Sequence, residues 1–92
     1  MFPGKRIPDG QWPENPGEYS KHKTSLGVVW FFIPPKALTE DGPDIASIRN
    51  HTVIEHEDGT ITVSPSILVT YYAGDKTTSW HGYLEKGIWR EC

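Results

Sequence analysis

Ninety-two residues fit one small domain and leave little room for a second core. Twelve acidic against nine basic side chains give a formal net charge of -3, and the basic residues are scattered, with Lys5-Arg6 and Lys21/His22/Lys23 too short to track a phosphate backbone. Nucleic-acid binding is therefore not expected, and neither is a membrane span, since no run approaches the roughly 20 apolar residues that one needs.

Four Trp, four Tyr and three Phe argue for a folded chain, because disorder goes with few aromatics. The single cysteine, Cys92, excludes an intramolecular disulfide framework and fits a reducing compartment. No apolar segment follows Met1-Phe2-Pro3-Gly4-Lys5-Arg6, so no secretory signal is expected. The expected location is the cytoplasm, the host's if the chain is phage-encoded.

Residues 1–25 hold Pro3, Pro8, Pro13 and Pro16 with Gly4, Gly10 and Gly17, a density that argues against a long helix or a central strand. They are expected to form an irregular, partly ordered arm whose Phe2, Ile7, Trp12 and Tyr19 pack on a core domain spanning 26–92. Leu26 to Ile33, LGVVWFFI, reads as a well-covered strand stopped by Pro34-Pro35. In 36–50, Asp41-Gly42-Pro43 marks a turn, and Ile45 and Ile48, three apart, allow one or two helical turns after Pro43.

The carboxy-terminal half alternates more clearly. His51–His56 and Thr60–Ser64 flank Glu57-Asp58-Gly59, a hairpin signal. A two-residue Asp58-Gly59 turn would set Ile54 opposite Val63 and His56 opposite Ile61, whereas a three-residue turn would shift that register. After Pro65, Ser66–Tyr72 and Thr77–Leu84 flank a second turn at Ala73–Lys76, and Glu85-Lys86-Gly87 makes a third before Ile88–Glu91. The fold class expected is mainly β: a small antiparallel meander, curled sheet or open barrel of five to six strands behind the N-terminal arm.

The chemical candidates are few. His51 and His56 are five apart, so on one strand they point to opposite faces, and the Cys-x-x-Cys and His-x-x-x-His spacings are absent. Zinc would need His56, Glu55 or Glu57, His81 and Cys92 to converge through the fold, and no cofactor is expected. His81 pairs with Cys92 if Lys86-Gly87 forms a two-residue turn and with Glu91 if the turn is bulged. A hydrolytic or metal-dependent site would centre on His81, with His56, Asp58 and Ser66 contributing, although no Gly-x-Ser-x-Gly elbow is present. The aromatic pattern instead favours a binding face made of Trp80, His81, Tyr83 and Trp89.

The runs HTVIEHEDGTITVSPSIL at 51–68 and SWHGYLEKGIWREC at 79–92 resemble a family of small phage and bacterial proteins carrying a domain-of-unknown-function label, some members of which are also labelled ammonia monooxygenase. The positions carried over are His56, Asp58, Gly59, Thr60, Pro65, Ser66, Trp80, His81, Gly82, Gly87 and Trp89. The resemblance implies an accessory protein that binds a protein partner. Relatives with paired cysteines before the Asp-Gly hairpin imply a zinc-ribbon-like clip, but here Phe32, Ile33, Pro34 and Pro35 occupy that neighbourhood. The monooxygenase label finds no membrane span and no recognisable copper or di-iron ligand set in these 92 residues. A homo-oligomeric or virion-associated component assembled through sheet edges is the remaining expectation.

Overall fold

The computed structural model describes residues 1–35, 45–73 and 76–92, with backbone pairing alone over 71–73 and 76–78. The strands are β1 (Phe2–Pro3), β2 (Lys5–Arg6), β3 (Glu18–Thr24), β4 (Gly27–Phe32), β5 (Ala46–Ile48), β6 (Thr52–Glu55), β7 (Ile61–Ala73), β8 (Lys76–Glu85) and β9 (Ile88–Glu91). One sheet has five strands in the order β1-β9-β8-β7-β6, the other four in the order β2-β3-β4-β5, and neither closes into a barrel. Every pairing is antiparallel except β2 with β3. The fold is thus mainly β as expected, and β6 to β9 form the expected meander.

The two sheets meet through one core. Tyr19, Trp30, Phe32 and Ile48 come from the four-stranded sheet, and Ile61, Val63, Ile67, Val69, Trp80, Leu84 and Trp89 from the five-stranded one. Each large side chain removed from water contributes roughly 1.5–3 kcal/mol, so a core of this composition is what so small a chain needs. At the rim, Glu55 of β6 accepts hydrogen bonds from Arg6 (3.2 Å) and Lys21 (2.7 Å), an ionic clasp between the sheets.

The first quarter of the chain is more regular than its composition suggests. Glu18–Thr24 is not part of an irregular arm but β3, an inner strand paired along β4 from Tyr19↔Phe32 to Thr24↔Gly27. The expected boundary between 25 and 26 therefore falls inside the β3–β4 turn. The prolines and glycines stop at Gly17, and EYSKHKT after it has none. Its two faces are both covered: Tyr19 enters the core, while Ser20 and His22 are buried on the outer side. The leading residues connect the sheets, with β1 paired to β9 and β2, one residue further on, paired to β3.

Two further expectations change. Ala46–Ile48 is a strand beside β4, with Trp30 opposite Ile48, rather than a helical turn. Alternation explains this, because Ile48 is buried while Ile45 is exposed, where a helix would place both on one face. The Pro43 end of that expectation lies outside the described residues. In the first hairpin the loop has three residues, so Val53 faces Val63 and Glu55 faces Ile61. His56 N donates to Thr60 O (2.8 Å) and Gly59 takes φ +89°, the left-handed position of a bulged turn. Asp58 Oδ1 accepts from both N and Oγ1 of Thr60 and completes the loop. The third hairpin has the two-residue turn Lys86-Gly87, with Glu85 opposite Ile88.

Candidate functional site

Trp80 and Trp89 are not on a binding face: each is 1% exposed. The two-residue turn pairs Leu84 with Trp89, and the alternation of β8 then sends Trp80, Gly82 and Leu84 inward. The two indoles meet edge to face, with centroids 5.4 Å apart, and Trp89 Nε1 donates to the Gly17 carbonyl at 2.9 Å. Phe32 packs on Trp89 from the other sheet. Their polar handles and area are spent inside the protein.

The same alternation turns His81 and Tyr83 outward, onto the solvent face of the five-stranded sheet. Ser66 joins them through an irregularity in β7. Between Val63↔Leu84 and Ile67↔Gly82, β7 advances four residues while β8 advances two. This displacement brings Ser66 Oγ to 2.9 Å from His81 Nε2. His51 Nε2 donates to the Ser66 carbonyl at 2.9 Å, tying the start of β6 to the same point. Directly across from His81 on β7 stands Leu68, 64% exposed. On the β9 side, Cys92 N donates to the His81 carbonyl, and the Cys92 residue is exposed.

The neighbouring row is charged and aromatic. The Arg90 guanidinium lies 5.1 Å from the Tyr83 ring centroid and is held by Glu85 at 2.6 Å. Beyond Arg90, a groove of about 380 Å³ is lined by Met1, Pro3, Glu85, Lys86, Ile88 and Arg90. The face as a whole is a polar field with isolated apolar contacts, Leu68, Ile54 and Ile88.

His56 belongs elsewhere. It sits at the first hairpin turn with Nε2 2.6 Å from Thr62 Oγ1, which also accepts from the Lys86 amide. The structure therefore brings together His81 and Ser66 of the sequence candidates, and separates them from His56 in hydrogen bonding. Among the described residues, no group of three or more His, Cys, Asp or Glu side chains is placed to hold a metal ion. A serine–histidine pair acts as a nucleophile when a third group orients the base. Among the described residues, no carboxylate accepts a hydrogen bond from His81, which lies exposed on an open sheet.

Leu68 is the part of this face that the sequence candidates omit. Its signal is the ordinary alternation of a strand: Ile67 and Val69, two apart, are both buried, which leaves Leu68 between them on the outer face. Compared with protein-family models, curated proteins and solved structures, the chain matches none of them.

Proposed function

We propose that this chain is a phage-type or bacterial accessory protein that works by binding a protein partner through the outer face of its five-stranded sheet. The observation that carries the reading is Leu68, a large apolar side chain 64% exposed and directly opposite His81. Ser66, Tyr83 and Arg90 surround that pair with hydrogen-bonding and aromatic groups, and the groove beside Ile88 offers a recess for a partner side chain. An apolar anchor within a polar, partly aromatic rim is the composition of a protein interface. The buried tryptophans give the face a rigid floor and do not contact the partner.

Affinity capture from bacterial lysate tests this, with wild type compared against Leu68→Glu, Tyr83→Ala and, on another surface, Lys23→Glu. A specific complex lost in the first two variants and kept in the third is expected, with unchanged circular dichroism in all. A complex indifferent to Leu68 and Tyr83 would sink the proposed face.

The Ser66–His81 contact at 2.9 Å supports a second reading, a hydrolytic site in which His81 activates Ser66. A fluorophosphonate probe separates the two. Labelling that disappears in both Ser66→Ala and His81→Ala favours the hydrolase, and absence of labelling favours the binding face.

A further inference from the structure

Trp12 is the exposed member of the four tryptophans, at 54% of its surface, against 5% or less for Trp30, Trp80 and Trp89. Exposure here does not mean looseness. The Trp12 ring centroid lies 4.4 Å from His22 and 4.8 Å from Phe31, and those two rings are themselves 4.9 Å apart. His22 is 8% exposed, and its Nε2 lies 3.0 Å from the Gln11 carbonyl. The same nitrogen lies 3.0 Å from Ser20 Oγ, and with Nε2 protonated the ring donates to the Gln11 carbonyl and pins the residue before Trp12. Pro13, the residue after, is buried. The outer face of β3 and β4 thus clamps one side of an indole whose remaining surface stays open.

That open surface belongs to a cleft of about 480 Å³, within the range of small-molecule sites. Its charged walls balance, Lys5 and Arg6 against Glu14 and Glu18. Two of these are already committed: Arg6 to Asp9, Glu55 and the Gly59 carbonyl, and Glu18 to the amides of Glu14 and Asn15. Among the described residues, the side chains of Lys5, Gln11 and Glu14 make no hydrogen bond, which leaves the cleft a donor, an amide and an acceptor. The balance of charge favours neither an anion nor a cation. It favours a neutral ring that is apolar on its face and bears donors and acceptors around its rim.

We propose that the Trp12 cleft binds a neutral pyranose sugar. The C–H face of the ring lies on the indole, whose π-face is electron-rich, and the hydroxyls reach Lys5, Gln11 and Glu14. A proline-rich peptide also stacks on tryptophan, but it needs an aromatic-lined groove, and among the described residues Trp12 is the one aromatic side chain on this cleft. The site is independent of the His81 face.

The test uses the full chain and neutral oligosaccharides of glucose, galactose, mannose and N-acetylglucosamine, read by saturation-transfer NMR and by Trp fluorescence. One stacked ring and a few hydrogen bonds correspond to a dissociation constant on the order of 1 mM. Trp12→Ala is expected to weaken binding about tenfold or more, and Gln11→Ala, which keeps the backbone carbonyl that His22 holds, to weaken it about threefold. Binding of one sugar series with both losses supports the proposal. Failure of all four series, binding indifferent to Trp12 and Gln11, or preference for a proline-rich decapeptide would overturn it.

Discussion

Gly82 lies beneath the ring of Trp80 on the inner face of β8: a Cβ at Gly82 would stand 2.7 Å from both Cζ2 and Cη2 of that ring and would also run into the Arg90 carbonyl. The indole can fold over its own strand only because position 82 carries no side chain. Gly82→Ala is expected to cost about 2 kcal/mol or more, since neither backbone nor a fully packed indole can yield cheaply. Urea denaturation followed by Trp fluorescence measures it, and a loss within 0.5 kcal/mol, roughly the scatter of surface substitutions, would contradict this packing.

Trp89 and Tyr83 should separate cleanly, although both were candidates for one binding face. Trp89→Ala removes a wholly buried side chain and is expected to cost roughly 3–5 kcal/mol. Trp89→Phe keeps most of the ring but removes one of the two donors to the Gly17 carbonyl, which keeps the Lys5 amide, a cost of about 0.5–1.5 kcal/mol. Tyr83→Ala gives up a half-exposed contact with Arg90, worth about 1 kcal/mol or less. Thermal or chemical unfolding of the three variants gives the order.

Acid should loosen the junction between the sheets. The hydrogen bond from Lys21 is the largest influence on Glu55, and with Lys21 and Arg6 nearby it holds this carboxyl below its usual value of 4.5. The backbone amide of Glu14, foremost, and then the amide and side chain of Asn15 do the same for Glu18. A carboxylate whose folded-state pKa is depressed contributes stability above its unfolded value, and that contribution is lost as pH falls through the folded one. Glu55→Gln should therefore be less stable than wild type at neutral pH by at most about 1 kcal/mol, because the pair is well exposed. The difference should close as pH drops below 4.5, the ordinary glutamate value, in a stability-versus-pH comparison. A gap that stays constant as pH falls well below 4.5 would show that the clasp does not sense protonation.

The first hairpin allows a direct check of register. Cross-strand NOEs are expected between the backbones of Val53 and Val63, with the Glu55–Ile61 pairing beside them. Gly59→Ala meets no heavy atom within 4 Å, so its expected cost of about 1–2 kcal/mol comes from the left-handed backbone alone. NMR and chemical denaturation of the variant test both statements.

Much of this fold was legible in the chain. The turns at Asp58-Gly59 and Lys86-Gly87 join β6 to β7 and β8 to β9, because turn residues and β-branched runs act locally, while residues 74–75 of the other expected turn lie outside the described residues. The faces were harder to read, because one residue more or less in a loop exchanges inside for outside. The three-residue loop at Glu57–Gly59 moved Ile54 away from Val63, and the two-residue turn at Lys86-Gly87 turned Trp89 inward. Composition averaged over 25 residues also hid β3, whose seven residues lack the prolines and glycines that precede them. At the candidate site, His81 was visible as a polar residue among aromatics. Its contact with Ser66 was not, since it depends on an irregularity near Pro65 that carries no periodic signal.

The pairing of β1 with β9 has a bearing on how the chain assembles. Phe2 finds its partner in Trp89, so β1 must wait for β9, with every other strand between them in sequence, before the five-stranded sheet is complete. Closing a loop that long is entropically slow, and strand edges stay open to other chains in the interval. The β3–β4 and β7–β8 hairpins, each closed by a short connection, can form while synthesis continues. Folding should thus end in a late step that joins β1 to β9, and Gly4, between β1 and β2, is where that step brings both sheets into register at once.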